Sequence, residues 1–244
     1  MSLLQTRNLT RQYGGIRAVD DVSFSLERGE IRGVIGPNGA GKTTLVGMIS
    51  GRVMPSAGSV QFDGADITRA QPWDRVGRGI VYTFQITSVF KRLDCRENVA
   101  LAAQRRLTRT FGHRLSLPQA TLDAAVDEAL AAVGLSAEAD RIAGELPYGH
   151  QRLLEIAMGL ALKPSLLILD EPTQGLAPGD IAPFCDLIRK TAQSTTILFI
   201  EHNLKVVLEL ADRVTVMDQG AILAEGTPAE IERHPAVQQA YLGD

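Results

Sequence analysis

Gly36-Pro37-Asn38-Gly39-Ala40-Gly41-Lys42-Thr43 is the stretch on which the fold turns. It satisfies G-x-x-x-x-G-K-[ST] at every position, and it lies between an apolar strand-like run, EIRGVIG at 30–36, and an apolar helix-like run, TLVGMIS at 44–50. Strand, glycine-rich loop and helix in that order make a phosphate cradle. Residues without a β-carbon let the backbone wrap an anion, so that successive N–H groups and the start of the next helix face negative charge. Gly36, Pro37, Asn38, Gly39, Ala40, Gly41 and Thr44 are expected in the cradle, Lys42 on the β- and γ-phosphates, and the Thr43 hydroxyl on Mg²⁺. A nucleoside triphosphate such as ATP is the implied ligand, yet the loop alone suits a GTPase, a kinase or a helicase equally.

The second half of a phosphoryl-transfer site lies downstream. In SLLILDEP, at 165–172, an apolar run brings Asp170 to the end of a strand, where it can hold Mg²⁺ through water. Glu171 follows at once and is the candidate for polarising the attacking water.

Around these motifs the chain divides by periodicity. LLQTRNL, VSFSLE and SVQFDG alternate apolar and polar residues between glycine-containing turns, which predicts an antiparallel edge sheet. SLLILD, TTILFI at 195–200 and RVTVMD at 213–218 are apolar strands separated by helical stretches, which predicts a mostly parallel central sheet. From about 87 to 164, ENVALAAQRR and TLDAAVDEALAAVGL carry apolar residues at helical spacing. The expectation is one domain over 1–244: a mixed α/β core from 1–86 and 165–244, and an inserted helical subdomain at 87–164. The tail, PAEIERHPAVQQAYL, reads as two short helices broken at Pro235.

Composition narrows the class. With 45% hydrophobic residues in a chain of 244, one substantial core can be buried. The net charge of −3 lacks the basic excess that drives nucleic-acid binding, so no nucleic-acid partner is expected. No apolar run approaches the roughly 18 residues that span a bilayer, and the start shows no signal core, so a cytoplasmic location is expected. Cys95 and Cys185 stand far apart and read as reduced thiols.

With these motifs in order, the chain resembles the ATP-binding-cassette (ABC) ATPases from about residue 3 to its end, which implies a P-loop NTPase core of the RecA-like kind. The resemblance places Tyr13 as the aromatic that stacks on adenine, a flat face needing no base-specific hydrogen bond. Gln85, in IVYTFQ, matches the Q-loop glutamine that touches Mg²⁺ and the lytic water at the entry to the helical insert. His202, in FIEHN, matches the switch histidine that contacts the γ-phosphate. LPYGHQRLLEIA resembles the signature that closes over the ATP of an opposing subunit, with Tyr148 and Gly149 among its contacts. Here the pattern departs from Leu-Ser-Gly-Gly-Gln: Leu146, Pro147, Tyr148, Gly149 and His150 leave no serine hydroxyl. A helix from Gln151 to about Leu162 would still aim its first N–H groups at phosphate. Gly175-Leu176-Ala177-Pro178 likewise lacks the aspartate usual after Walker B.

The departures, with TFQITSVF, IEHNLKVVLELADRVTVMDQG and the ending AVQQAYLGD, resemble ATPase subunits of Liv-type branched-chain amino acid importers. Urea and short-chain amide importers share much of this pattern, and a soluble ABC ATPase without a membrane partner is the alternative class. The resemblance implies permease subunits and a second ABC ATPase, identical or different, as partners. It also implies a periplasmic solute-binding protein acting indirectly, and a place on the inner face of the membrane. Arg105, Arg106, Arg109, His113 and Arg114 form a local basic cluster, by default a solvated face and otherwise a contact for anionic headgroups or a permease.

Overall fold

The alternating N-terminal runs form two long strands, β1 (Ser2–Tyr13) and β2 (Ile16–Glu27), paired antiparallel in a hairpin. The computed structural model that shows this describes residues 2–83, 88–108 and 118–242. After β3 (Ile31–Ile35) and helix α1 (Lys42–Ser50), strands β4 (Ala57–Phe62) and β5 (Ala65–Asp66) extend the hairpin. The result is a four-stranded antiparallel sheet in the order β2-β1-β4-β5.

Helix α2 (Pro72–Gly77) leads to β6 (Ile80–Thr83), and three helices follow: α3 (Cys95–Leu107), α4 (Gln119–Ala132) and α5 (Tyr148–Ala161). The chain then returns as β7 (Leu166–Asp170), α6 (Pro178–Ala192), β8 (Thr196–Ile200), α7 (Leu204–Leu210), β9 (Arg213–Asp218) and β10 (Ala221–Gly226). It finishes with α8 (Pro228–Glu232) and α9 (Pro235–Leu242), divided where the tail was expected to break. The second sheet runs β10-β9-β3-β8-β7-β6, parallel throughout except for the antiparallel β10.

β3, β7 and β8 are buried at every residue, and their side chains divide by parity between two apolar cores. Leu167, Leu169, Ile197 and Phe199 face the core shared with α3–α7, while Leu166, Ile168, Leu198 and Ile200 face α1 and the antiparallel sheet. Covering both faces accounts for the unbroken apolar runs in the sequence. It also sends the carboxyl ends of β3, β7 and β8 to a common edge, and residues that follow strand ends in such sheets collect there as a site.

Local chemistry fixes the helix ends. Asp94 and Glu97 form a reciprocal capping box at α3, and Thr227 and Glu230 do the same at α8. The fully buried Arg75 donates to the carbonyls of Met48 and Ile49, at 2.7 Å each, and to those of Thr68 and Ala70. It thereby closes the C-terminal end of α1 against the loop before α2, and burial pushes its guanidinium down to about 10. Cys95 and Cys185 are free and buried. The signature helix begins earlier than expected, at Tyr148 rather than Gln151, because Pro147 adopts the extended geometry of an N-cap and its carbonyl accepts from Gln151 N–H at 3.0 Å. None of the helices is long and apolar enough to cross a membrane, among the described residues.

Candidate functional site

The glycine loop follows β3 and opens α1, so the N-terminal end of that helix starts at Lys42 itself. Gly41 has a left-handed backbone (φ 95°), and a β-carbon there would meet the Ala18 carbonyl oxygen at 2.2 Å. The β1–β2 hairpin therefore presses on the loop and fixes its curvature. Asn38, Gly39 and Thr43 are exposed, whereas Gly36, Ala40 and Lys42 are buried. The Lys42 ammonium turns back onto the loop, donating to the Gly36 carbonyl at 2.8 Å and that of Pro37 at 3.0 Å. Burial lowers its pKa, and the charges of Glu171 and Asp170 partly offset this. Carbonyl oxygens are weak partners for a buried cation, so the ammonium is poised to exchange them for phosphate oxygens.

β7 delivers Asp170 to the sheet edge. Its Oδ2 accepts from the Tyr82 hydroxyl at 2.5 Å, while its Oδ1 is buried without a hydrogen-bond partner. Burial raises the Asp170 pKa, the Tyr82 hydrogen bond opposes the rise and the neighbouring Glu171 adds to it. Burial likewise pushes the Tyr82 phenol upward, reinforced by Asp170. The Arg52 guanidinium lies 4.5 Å over the Tyr82 ring and holds it from the other side. An uncommitted carboxylate oxygen and the exposed Thr43 hydroxyl are oxygen donors of the kind Mg²⁺ takes, so the residues present fit a divalent cation.

Glu171 leaves the strand with a positive φ of 47°, a strained conformation for a residue with a side chain. The turn swings its carboxylate to His202, whose Nε2 lies 2.6 Å from Glu171 Oε1. His202 follows the end of β8, so neighbouring parallel strands supply the two members of the pair. With Glu171 ionised, the close contact requires the proton on Nε2 of His202.

The signature helix α5 joins the same edge through a residue the sequence reading did not single out. Arg152, 1% exposed, donates to the Asp170 carbonyl at 2.6 Å and to Glu155 at 2.7 Å. Tyr148, 42% exposed, lies so close to Gly175 that a β-carbon there would meet its ring at 2.6 Å, which ties the signature to the loop after Walker B. Tyr13 is 45% exposed at the hairpin tip, with the Arg11 guanidinium 4.4 Å over its ring. Gln85 lies outside the described residues, as do Arg109, His113 and Arg114; Arg105 is exposed, and Arg106 donates to the Ala161 carbonyl at 2.9 Å. Tyr82, Arg152, Thr173 and Glu201 carry the geometry and were missed. Only Arg152, a charge on the apolar face of LPYGHQRLLEIA, left a trace in the sequence.

A phosphate loop opening α1, an acidic strand end beside it and a Glu–His pair on the next strand define a P-loop ATPase. The ABC transporter family matches residues 19–174, and a branched-chain amino acid ATP-binding cassette transporter family matches residues 221–244. The chain is 38% identical to the high-affinity branched-chain amino acid transport ATP-binding protein BraF of Pseudomonas aeruginosa, with 99% of this chain and 98% of that protein covered. It is also 38% identical to the corresponding protein LivG of Escherichia coli K12, over the same shares. A crystal structure of the ADP conformation of an ATP-binding cassette of an ABC transporter superposes with a TM-score of 0.88 at 32% identity, over 100% of both chains. The chain belongs to the ABC transporter ATP-binding family, and it is an ATPase.

Proposed function

We infer that the chain is the ATP-hydrolysing subunit of an importer for branched-chain amino acids. It works on the inner face of the membrane with permease subunits, a second ABC ATPase and, indirectly, a periplasmic solute-binding protein. The observation that carries the solute class is the C-terminal match at 221–244 to the branched-chain amino acid cassette family, supported by relatives of that description along nearly the whole chain.

The positions of the described site residues, with the family resemblance for Gln85, support the following roles. The glycine loop and Lys42 bind the phosphates, Tyr13 offers an aromatic face to the base, and Thr43 and Asp170, joined by Gln85, hold Mg²⁺. A Mg²⁺ ion held by these residues would supply positive charge to offset that of the phosphates. Glu171 accepts hydrogen bonding from the attacking water, and His202 turns from Glu171 toward the γ-phosphate. The loop lies open to solvent at Asn38, Gly39 and Thr43, so water is excluded only when another cassette covers it with its signature. A ligand that bridges two subunits only in the closed form shifts the population to that form, and its hydrolysis reverses the shift.

The test is reconstitution with the cognate permease and solute-binding protein in vesicles. ATP turnover should rise severalfold with leucine, isoleucine or valine. Stimulation by urea or a short amide in their place, or ATP turnover by this chain without any membrane subunit bound in cells, would overturn the assignment.

A further inference from the structure

Glu201 is a buried carboxylate to which the roles above assign nothing. It stands between β8 and His202, 3% exposed, and it spans two loops. Its Oε1 accepts from the Thr173 N–H at 2.8 Å and from the Thr173 hydroxyl at 2.6 Å. Its Oε2 accepts from the N–H groups of His202 at 3.1 Å and Asn203 at 3.4 Å. Thr173 lies in the turn that follows Glu171, where the Glu171 carbonyl accepts from Gln174 N–H and the Glu171 N–H donates to Ile200. No cation pairs with Glu201 among the described residues. Neutral donors alone hold its charge, and every one of them belongs to a loop bearing Glu171 or His202.

A carboxylate out of water is costly unless its lone pairs are satisfied, and an apolar side chain would fill the same space at lower cost. What the charge supplies is direction: two acceptor oxygens on one rigid group, each fastened to a different loop. We propose that Glu201 is a positioning residue that clamps the turn after Glu171 to the loop of His202 and so sets the contact between those two side chains. The proposal rests on the roles given to Glu171 and His202. It separates binding from chemistry, because the clamp touches neither the glycine loop nor Lys42.

Glu201→Gln keeps the shape but has a single acceptor oxygen, so its amide N–H groups must face the donors of one of the loops. In the reconstituted transporter, kcat should fall about ten- to a hundredfold, the loss expected for misplacing groups that act together in the transition state. KM for ATP and nucleotide affinity of the full chain should stay within about twofold. The imidazole NMR signals of His202, assigned by their disappearance in His202→Ala, should shift. In a His202→Ala background Glu201→Gln should add little further loss, because the two changes share one path.

Unchanged kcat in Glu201→Gln, with Glu171→Gln and His202→Ala both impaired, would overturn the proposal and leave the site reading intact. Full additivity in the double mutant would overturn it too, as a merely structural effect. Normal hydrolysis in Glu171→Gln and His202→Ala would instead overturn the site reading. Should Glu201→Gln fail to fold, Thr173→Val, which deletes one hydroxyl from the clamp, must still lower kcat severalfold without raising KM; no change there would count against the clamp.

Discussion

Asp170 shows at the scale of one residue how function and stability pull apart. Burial raises its pKa, so the folded chain binds this proton more tightly than the unfolded chain. The stability that follows is complete below the ordinary aspartate value and is lost as pH rises through the folded value, so at neutral pH the ionised group is a net cost to the nucleotide-free chain. Asp170→Asn, which keeps the acceptor facing Tyr82, should stabilise that chain by roughly 0.5–2 kcal/mol at pH 7. Thermal melts should show the gain vanish in acid, and Mg²⁺ should no longer increase stabilisation by ATP. Lys42→Ala and Glu171→Gln should differ in kind. The former removes a cation from the phosphates and weakens ATP binding; the latter keeps binding, abolishes hydrolysis and traps the closed dimer. Nucleotide affinity beside single-turnover hydrolysis distinguishes them, and equal loss of affinity would refute the role of Glu171. Tyr13→Ala should lower affinity for ATP and GTP alike, since stacking discriminates poorly among purines. Competition binding with both nucleotides reads this directly, and selective loss of one would indicate a specific base contact.

Among the elements, α5 deserves the closest comparison with its sequence. The run LPYGHQRLLEIA predicts a helix, and the helix buries Leu154, Ile156 and Ala157. The run does not announce that Arg152 goes inside, where it joins the helix to the Asp170 carbonyl at the end of β7. A direct hydrogen bond thereby links the signature helix to the strand that carries Asp170. Arg152→Met keeps the volume but removes the donors and takes from Glu155 a buried partner. The expected cost is about 3–5 kcal/mol of stability, measurable by urea unfolding, because the change breaks a buried ion pair from one side. A variant pair, Arg152→Met with Glu155→Leu, should recover much of it. Failure to recover would mean that the pairing with Glu155 does not carry most of the interaction.

For the whole molecule, the open phosphate edge and the altered signature act together. If the second cassette carries an ordinary Leu-Ser-Gly-Gly signature, the two ATP sites of the dimer are unequal. The site on this chain's Lys42, Asp170 and Glu171 would then close under the partner's serine, whereas the partner's ATP would close under Pro147, Tyr148 and Gly149. The first free N–H groups of α5 are now those of Tyr148, Gly149 and His150, which places helix-end donors where the serine is missing. A lost charge-assisted hydrogen bond is worth roughly 1.5–3 kcal/mol, or about ten- to a hundredfold in rate. Glu171→Gln here should therefore remove most turnover, the matching change in the partner less, and Pro147→Ser should raise turnover at the partner's site. Steady-state hydrolysis by complexes carrying each change singly provides the comparison, and equal losses would show that the helix end compensates fully.

How far the sequence reaches follows from the range of the forces involved. The glycine loop, the strand ending at Asp170 and the two-sided burial of the central strands were legible because each depends on neighbours within a few residues: a missing β-carbon, an alternating pattern, an apolar run. The break at Pro235 was legible for the same reason, since proline lacks its N–H wherever it stands. The start of α5 lies three residues earlier than expected because Pro147, which offers neither a hydroxyl nor an N–H, still serves as its cap. Tertiary structure alone decided that Tyr82 meets Asp170, that Arg152 reaches its carbonyl, and that Glu201 fastens Thr173 to the loop of His202. These partners are brought together by sheet register and helix packing, and no local pattern encodes a hydrogen bond between residues so distant in the chain. A buried charge can be read from its place in the fold, because only there do its donors converge.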